Sequence, residues 1–443
     1  MDNKSAFSVD SYDDNVRKVI PFYDEIYDQI FDIIHTHYAK YEKYKMPFSV
    51  LDTGCGSGTF AVRACEELNI SEMILCDPSE KMLSDAHSKL SDKNCIFRCI
   101  GSENLDYLEK FNVIVAIQSH HYFSREMRER AIKNCFRALK SGGILIYTEN
   151  TAPFSEVGKN IALKRVENFG INAGRSREEA AEHSARYGTE YFPLNVSEHL
   201  EMLRKTGFET AEIFWHSYMQ SGFYAVKPNS YTSGTAKVYY EYDEDEQGYL
   251  LEYIEGKTDN FVIPDQINGI DVKGFSDLED FNDRIGGKIT ISEDNKYFKV
   301  IDDVLFSKDG TELYIYMQKK KNENYIIPSG VKIIAPDAFT RVELKNIVIS
   351  EGVTHIYQYA FACSKTIEKI YLPSTLELVS LKTFYFFGTD NLQVYYGGTS
   401  EQWQKIDFVF GNSEVQNAEI HYNSPVPQTD ENGNIIFRES DEV

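Results

Sequence analysis

The sequence predicts an α/β domain, built on a Rossmann-like and mostly parallel sheet, followed by a β-rich solenoid of repeats. Two observations carry this prediction. Residues 1–228 alternate short apolar runs with helical patterns, which is typical of a parallel sheet covered by helices. Residues beyond about 250 repeat with a period near 22, which is typical of a solenoid. A chain of 443 residues is long enough for two such domains.

The first domain is predicted to begin its sheet with apolar runs at residues 48–52, 73–77, 113–117 and 144–148, and a further strand signal at IFRCI (96–100) makes 113–117 the fourth strand. Helical patterns fill the intervals, for example over 125–140. A last helix over 196–206, stopped by Gly207, precedes two strands that complete the sheet. The stretch KPNSYTSGTA (227–236) is rich in Pro, Ser, Gly and Thr, so residues 229–247 are predicted to be a linker.

The second domain contains three segments that align along their length, at residues 326–339, 348–361 and 371–384. Equivalent positions such as Phe339, Phe361 and Phe384 lie 22 and then 23 residues apart. A unit this short cannot bury its own apolar face, so neighbouring units must stack. We expect the repeat domain to cover 248–410 and an acidic C-terminal tail to cover 411–443.

The charge of the chain limits its partners. The net charge is −23, and the residues after 230 contribute −17 of it. Because nucleic acids and anionic membranes are bound by clusters of Lys and Arg, we expect neither as a partner and favour a small-molecule acceptor. The seven cysteines show neither disulfide nor zinc spacing, so we expect reduced thiols and no metal site. The first residues lack the basic start of a signal peptide, which predicts a cytoplasmic location.

The segment LDTGCGSGTF places Asp52, Gly54, Gly56 and Gly58 between the first predicted strand and a helix. Glycines at such a turn let the backbone approach a ligand closely. Dinucleotide folds prefer G-x-G-x-x-G, whereas the spacing here is G-x-G-x-G, and the Asp52 carboxylate would repel a pyrophosphate. The pattern suits a cofactor with an ammonium group and no phosphate, which describes S-adenosylmethionine. A nicotinamide-dependent oxidoreductase is kept as a less favoured alternative.

Polar residues at the ends of the next strands extend the predicted cofactor site. Asp77 ends the second strand, at the position where an acid usually meets the ribose hydroxyls. Ser102 and Glu103 follow the third strand, in a loop that could reach the adenine. Gln118 follows the fourth strand, beside the expected reaction centre. The sequence therefore predicts a cofactor site along one edge of the sheet.

With these motifs, residues 1–228 resemble the class I S-adenosylmethionine-dependent methyltransferases, a seven-stranded α/β family. The resemblance implies that Asp52 and the three glycines contact the methionine part of the cofactor. It places Asp77 at the ribose and Ser102 near the adenine, where many members of the family have Asp. The N-terminal stretch VRKVIPFYDEIY resembles the lid helix of some members, which implies that Tyr23 touches the cofactor.

Methyl transfer mainly requires alignment of the acceptor, and a base is needed only if the acceptor must lose a proton. His120 and His121 are the candidates, because imidazole titrates near neutral pH. The alternative is that one of them lines the cofactor pocket while the other packs structurally. The insertion over residues 151–193 is predicted to build the acceptor site, with candidate contacts at Arg175, His183, Arg186 and Tyr187. A solvated helix with i,i+4 pairs is the alternative for that segment.

The repeats resemble the BspA-type leucine-rich repeat, whose pattern is I-P-x-x-V-x-x-I-x-x-x-A-F. Ala338-Phe339 and Ala360-Phe361 keep its A-F step. The resemblance implies an interaction module, which predicts partner docking or oligomerisation. The leading prediction is thus a cytoplasmic methyltransferase fused to a docking domain. The alternative is an interaction or scaffold protein whose methyltransferase-like domain is catalytically weak or only senses the cofactor.

Overall fold

The computed structural model of the chain describes residues 15–39, 43, 45–317, 322–385, 392–431 and 433–439. The chain divides into two compact units, here called the N-terminal unit (Met1–Asn229) and the C-terminal unit (Ser230–Val443). The first fourteen residues, on which the predicted absence of a signal peptide depends, lie outside the described residues. No helix in the described part of the chain is long and apolar enough to cross a membrane.

One seven-stranded sheet forms the centre of the N-terminal unit. Its strands are β1 (Phe48–Thr53), β2 (Ile70–Cys76), β3 (Cys95–Arg98), β4 (Phe111–Ile117), β5 (Leu139–Asn150), β6 (Thr210–Ser217) and β7 (Gln220–Val226). They lie in the order β3-β2-β1-β4-β5-β7-β6. The first five run parallel, whereas β7 pairs antiparallel with both β5 and β6. The predicted Rossmann-like, seven-stranded fold is confirmed.

Helices connect these strands. The described helices of the unit are α1 (Tyr23–His37), α2 (Thr59–Glu67), α3 (Glu80–Lys89), α4 (Arg125–Ala138), α5 (Glu156–Asn172), α6 (Arg177–Ala185) and α7 (Val196–Thr206). The predicted helix at α7 is confirmed with its signals: Asn195 and Glu198 form a capping box, and Gly207 ends the helix with φ 114°. Helices α5 and α6 make up most of the insertion between β5 and the last two strands.

Each face of the sheet covers its own apolar core. Val50 of β1 packs in a cluster with Phe31 and Phe60, whereas its neighbour Leu51 packs in a second cluster with Ile132. Successive side chains of a strand point to opposite faces, so a strand covered on both sides reads as a continuous apolar run. Because β1, β2 and β4 are parallel, the polar residues that follow them lie at the same edge of the sheet.

The C-terminal unit begins with strands where the sequence predicted a linker. The strands are β8 (Ser230–Ser233), β9 (Ala236–Asp243), β10 (Gly248–Glu255), β11 (Thr258–Val262), β12 (Gln266–Ile267), β13 (Ile270–Phe275) and β14 (Ile285–Thr290), with helix α8 (Glu279–Arg284) before β14. The predicted linker over 229–247 is therefore wrong. Gly234, with φ 61°, lies in the turn of a hairpin, and Val238 and Tyr240 are buried while Lys237 between the turn and Val238 is exposed.

The repeats form two parallel sheets. Their strands, with the hairpin that precedes them, are β15 (Phe298–Ile301), β16 (Val304–Ser307), β17 (Glu312–Tyr316), β18 (Asn324–Ile326), β19 (Ile333–Ile334), β20 (Asn346–Val348), β21 (His355–Ile356), β22 (Lys369–Leu372), β23 (Leu378–Val379), β24 (Gln393–Tyr396), β25 (Asp407–Phe408) and β26 (Glu419–His421). One sheet has the order β15-β16-β17-β19-β21-β23-β25 and the other β18-β20-β22-β24-β26. Short helices α9 (Ser400–Trp403) and α10 (Ser413–Gln416) lie between the last strands.

The period seen in the sequence is a stack of side chains in the structure. The Phe339 and Phe361 rings stack at 4.8 Å between centroids, and the Phe361 and Phe384 rings at 5.2 Å. The predicted start of the acidic tail at 411 is wrong, because β26 pairs with β24 and Val415 is buried in the repeat core. A separate hairpin, β27 (Gln428–Thr429) and β28 (Ile435–Ile436), follows the last repeat.

Candidate functional site

The turn between β1 and α2 is built from glycines in the left-handed backbone region. Gly54, Gly56 and Gly58 have φ values of 71°, 54° and 80°, which other residues adopt only with strain. At Gly54 a Cβ atom would collide with the side chain of Ser119, so the turn lies directly against the segment that follows β4. The Gly54 amide donates to the Cys76 carbonyl at 2.7 Å, which joins the turn to the end of β2.

A cavity opens over this turn. Its walls come from α1, from the glycine turn and the start of α2, and from the end of β4; the lining residues are Tyr23, Tyr27, Asp52, Gly54, Cys55, Gly56, Ser57, Thr59, Phe60, Ile117 and Gln118. The structure thus brings together five residues predicted to bind the cofactor: Tyr23, Asp52, Gly54, Gly56 and Gln118. Gly58 lies at the start of α2 and shapes the turn instead.

Asp52 supplies the carboxylate of this cavity. The residue is 2% exposed, and its Oδ2 atom has no hydrogen-bond partner within the described residues. Burial, and then the negative charge of Asp77, raise the pKa of Asp52 to about 8. A buried carboxyl of this kind gains stabilisation from a cation placed beside it. The ammonium of S-adenosylmethionine is such a cation, so the residues present fit the methionine end of this molecule.

Asp77 supports the glycine turn from the neighbouring strand. Its Oδ2 accepts a hydrogen bond from the Gly56 amide at 3.0 Å, and its Oδ1 accepts one from the Ser79 amide at 2.8 Å. Burial raises the pKa of Asp77, although these two hydrogen bonds oppose the shift. Asp77 is not among the residues that line the cavity. Its contact with a ribose therefore stays a prediction.

Family comparisons match both parts of the chain. Residues 50–143, which include the glycine turn and β4, match a family model described as a methyltransferase domain. The N-terminal unit carries a methyltransferase domain. Residues 311–425 match the BspA type leucine rich repeat region, in six copies. The chain therefore joins a methyltransferase domain to BspA-type repeats, as the sequence resemblance implied.

Curated relatives match about half of the chain. A carboxy-S-adenosyl-L-methionine synthase of Nautilia profundicola is 25% identical over 210 residues, which cover 47% of this chain and 87% of the relative. The protein of the same name from Desulfotalea psychrophila is 24% identical over 225 residues, covering 50% and 89%. The methyltransferase domain is thus that of an enzyme, and S-adenosylmethionine is its cofactor or substrate.

Among solved structures, a putative S-adenosylmethionine dependent methyltransferase from Listeria monocytogenes is 19% identical to this chain. It covers 43% of this chain and 97% of its own, with a TM-score of 0.31. A putative methyltransferase from Bacillus halodurans is 15% identical and covers 41% of this chain and 93% of its own, with the same TM-score.

The loop after β3 of the methyltransferase domain holds the two residues predicted near the adenine. Ser102 is 3% exposed, and its Oγ lies 2.9 Å from Nε2 of His120. The side chain of Glu103 turns back toward Gly101, and its Oε1 accepts a hydrogen bond from Nδ2 of the Asn104 side chain at 3.0 Å. Neither residue lines the cavity over the glycine turn. Their contact with an adenine stays a prediction.

His120 and His121, the candidate bases, lie in a short 3-10 turn after β4, and both are buried. Burial, and then the positive charge of Arg128, lower the pKa of His120 to about 3. The same two causes lower the pKa of His121 well below its usual range. Both imidazoles are therefore neutral at pH 7, and neither lines the cavity. A base role for either stays a prediction.

Arg128 of α4 holds this histidine segment in place. Its Nε donates to the His120 carbonyl at 3.2 Å, and its Nη2 donates to the Phe192 carbonyl at 2.9 Å. Its side chain is 1% exposed and lies 3.6 Å from Oε2 of the buried Glu149. Burial raises the pKa of Glu149 to about 7, although the charge of Arg128 opposes the shift. Arg128 thus connects the end of β4 to the end of the insertion.

The residues predicted to contact the acceptor lie on and around α6. His183 is mostly buried, and burial followed by the charges of Arg175 and Arg186 lowers its pKa to about 4. These three predicted residues therefore lie close enough to interact. Arg186 also pairs with Glu190 at 2.7 Å, an i,i+4 pair of the kind that the alternative interpretation predicts.

Tyr187 follows this cluster and packs within the insertion. Its ring lies 5.9 Å from that of Tyr191, and the Lys159 ammonium lies 5.7 Å from its centroid. Neither Tyr187 nor the Arg175–Arg186 cluster lines the cavity over the glycine turn. The role of all four residues in acceptor binding stays a prediction.

Sequence reasoning does not identify three further residues in and around the site. Tyr27 lines the cavity and was missed, although it lies one helical turn after Tyr23 and therefore on the same face of α1. Phe60 was missed because the second residue of a helix is read as core. Arg128 is one of four arginines within REMRERAIKNCFR. Helical spacing alone does not show that this one, rather than the other three, is completely buried.

Proposed function

We propose that the N-terminal unit transfers a group from bound S-adenosylmethionine to a small-molecule acceptor, with methyl transfer as the leading reaction. The observation that carries this proposal is the Asp52 carboxyl, which is buried in the cavity and has no hydrogen-bond partner for Oδ2 within the described residues. The ammonium of the methionine moiety would pair with it, and the glycine turn would let the backbone approach the same moiety.

The proposed chemistry is an in-line displacement. A nucleophilic atom of the acceptor attacks the methyl carbon, the bond from that carbon to sulfur breaks, and its electron pair stays on sulfur as the neutral thioether S-adenosylhomocysteine. Any proton lost by the acceptor passes to a base or to water. Alignment is the main contribution required of the protein. Gln118, which lines the cavity at the end of β4, is proposed to contact the reacting end of the bound cofactor.

The acceptor is proposed to bind toward the insertion. The cationic groups of Arg175 and Arg186 act on His183, which makes this region suited to an acceptor that carries a carboxylate or phosphate. His121 is the proposed proton acceptor near this cluster because its Nδ1 has no hydrogen-bond partner within the described residues. Burial lowers its pKa, so it accepts a proton efficiently only if a bound acceptor or cofactor raises that pKa again.

A second candidate reaction is formation of carboxy-S-adenosylmethionine. It is favoured by the relatives, because two proteins named carboxy-S-adenosyl-L-methionine synthase match this chain over 87% and 89% of their own length. In that reaction S-adenosylmethionine would be a substrate rather than a methyl donor. Its methyl carbon would lose a proton and bond to the carboxyl carbon of a carboxylate-bearing co-substrate, whose bond to that carboxyl group breaks and whose remaining part takes up the proton. The cationic cluster around Arg186 would suit a carboxyl-bearing partner in this reaction as well.

Product analysis tests these proposals. The full chain is incubated with S-adenosylmethionine and pools of small carboxylic acids, phosphates and amines, and the sulfur-containing products are identified by mass spectrometry. S-adenosylhomocysteine supports methyl transfer, whereas a carboxylated sulfonium supports the second candidate. The Asp52→Asn variant should lose either product, while the matched Asp106→Asn variant, whose carboxyl is 72% exposed, should keep it. Turnover that survives in Asp52→Asn would contradict the assigned site.

The repeats are proposed to dock a partner or a second copy of the chain, and the protein is proposed to act in the cytoplasm. The seven cysteines are all free, which suits a reducing compartment. The excess negative charge after residue 230 disfavours nucleic acid and anionic membrane as partners. The scaffold alternative, in which the N-terminal unit only senses the cofactor, would give S-adenosylmethionine binding without any product in the same assay.

A further inference from the structure

The repeat sheet β18-β20-β22-β24-β26 has an outer face that is apolar and aromatic. Its parallel register places Val348, Tyr371 and Tyr395 in one row, between Ile326 at one end and His421 at the other. The neighbouring row, one residue earlier on each strand, faces the repeat core. The outward-facing residues of a sheet that is covered on one side are normally polar, so an apolar and aromatic outer row needs an explanation.

The C-terminal segment of the chain covers this row. Val348, Tyr371 and Tyr395 form a buried cluster of their own, and Ile435 and Phe437 pack against it. The Phe437 ring lies 4.8 Å from the Tyr395 ring. A segment that follows the last repeat therefore buries part of the outer row formed by Val348, Tyr371 and Tyr395.

Charged contacts extend the match beyond the apolar pair. The Lys369 ammonium lies 5.8 Å from the Phe437 ring and 5.9 Å from the Tyr395 ring. A carboxylate oxygen of Glu439 lies 3.5 Å from Nδ1 of His421, whose ring stacks on Tyr395 at 4.7 Å. The segment thus meets the face with an aliphatic, an aromatic and an acidic side chain.

The residues that contact the outer face are two positions apart in the sequence, as expected for an extended chain. Ile435, Phe437 and Glu439 are alternate residues, and Ile436 between them is 39% exposed. Strands β27 and β28 form a two-stranded sheet separate from both repeat sheets. Side chains rather than a shared β-ladder therefore attach the segment to the face, so it can leave without breaking a repeat.

We propose that the outer face of this sheet is a peptide-recognition surface, and that residues 435–439 occupy it as a built-in ligand. The external partner is an extended protein segment with an aliphatic residue, an aromatic residue and an acid at alternate positions. Such a segment replaces the chain's own C-terminal segment and takes its contacts to Lys369, Tyr395 and His421. The row continues to Ile326, which is 37% exposed, so a longer segment has further apolar surface to cover. This assignment rests on the docking role proposed for the repeats and does not depend on the methyl-transfer proposal.

Competition between the built-in and an external segment tests the assignment. A fluorescent synthetic peptide of residues 427–439 is titrated against the full chain and against two variants, with binding measured by fluorescence anisotropy. Phe437→Ser weakens the built-in ligand, whereas Ile436→Ser changes the neighbouring exposed residue and serves as the matched control. We expect the Phe437→Ser chain to bind the peptide at least about 10-fold more tightly than the wild type, and Ile436→Ser to differ from the wild type by less than about twofold.

A second arm uses the peptide itself. A peptide that carries the Phe437→Ser change should lose about 10-fold or more in affinity for the Phe437→Ser chain, and the Ile436→Ser peptide should keep its affinity. Equal affinity for all three chains, no binding to any of them, or equal binding of both altered peptides would overturn the assignment. Product formation from S-adenosylmethionine is measured on the same chains, so failure of the peptide assay is distinguished from failure of the proposed enzymatic function.

Discussion

The centres of the two units differ in what they bury. The N-terminal unit buries the Asp52 carboxyl in its cavity, and it buries Arg128 of α4 beside Glu149 of β5. The corresponding interior of the repeats is a ladder of rings, with Phe361 stacked between two others. Burial of ionisable groups costs stability, whereas stacked apolar rings contribute to it. The N-terminal unit therefore buries groups that reduce its stability, whereas the stacked rings of the repeat core add to stability; the proposed function gives a reason for this cost at Asp52.

Removing one ring from the ladder should give the largest effect on folding. Phe361→Ala is expected to lower the free energy of unfolding of the C-terminal unit by about 3 to 5 kcal/mol, because it opens a cavity in a close-packed stack. Chemical denaturation followed by circular dichroism measures the change. Phe410→Ala, which removes a ring that is 79% exposed, is the matched control and should change stability little. Loss of S-adenosylmethionine binding in Phe361→Ala would contradict the division of roles.

Breaking the buried ion pair should give a smaller loss in the N-terminal unit. Arg128→Met removes the hydrogen bonds to the His120 and Phe192 carbonyls and leaves Glu149 without its cation. We expect the free energy of unfolding to fall by about 3 kcal/mol. The double variant Arg128→Met/Glu149→Gln should recover part of that loss, since no unpaired buried charge remains. A double variant no more stable than the single one would show that the hydrogen bonds, and not the charge, dominate.

The buried acid of the cavity should make stability depend on pH. The pKa of Asp52 is raised to about 8 in the folded protein, from 3.8 when unperturbed, so the folded state binds the extra proton between these values. Without ligand, the stability from this group is fully present below about pH 4 and is lost as pH rises through about 8. The slope should reach about 1.4 kcal/mol per pH unit between pH 6 and 7. Thermal melts at several pH values measure this effect. The stability of Asp52→Asn should depend less steeply on pH than that of the wild type, and the same pH dependence in both proteins would contradict the prediction.

The smallest predicted effect concerns the hydroxyl pair on α1. Tyr23 and Tyr27 line the cavity with their hydroxyl oxygens 3.1 Å apart. Tyr27→Phe keeps the ring and removes one hydroxyl, so it should cost about 0.5 to 1.5 kcal/mol of binding free energy, a few-fold in S-adenosylmethionine affinity. Isothermal titration measures the change. Tyr38→Phe, which removes a buried hydroxyl bonded to the Asn112 carbonyl away from the cavity, should leave that affinity unchanged.

Much of the fold could be predicted because local signals and long-range packing agree. The runs that became β1, β2, β4 and β5 are apolar on both faces, and the Phe339–Phe384 period is set by stacking between units. The predicted linker failed because Ser, Gly and Thr at 232–235 serve equally well in a hairpin turn, and only the alternation of Val238 and Tyr240 identifies a strand.

The candidate site could be predicted only in part. Asp52, Gly54 and Gly56 lie on one short segment with a recognisable spacing, so the sequence alone is sufficient to predict that they line the same cavity. Arg128 reaches the His120 carbonyl through tertiary packing of α4, which spacing along the chain does not encode, whereas helical spacing from Tyr23 is sufficient to find Tyr27. Asp77 shows a further limit: its position at the end of β2 was read correctly, but its hydrogen bonds to Gly56 and Ser79 depend on the path of the turn.

The most direct test of the account is isothermal titration of S-adenosylmethionine into the full chain and into Asp52→Asn, at pH 7 in two buffers of different ionisation enthalpy. Because the pKa of Asp52 is about 8 without ligand and an ammonium favours the charged carboxylate, binding to the wild type should release a proton. Asp52→Asn should release none and should bind about 10- to 100-fold more weakly. Equal affinities and equal proton release for the two proteins would show that Asp52 does not receive the ammonium.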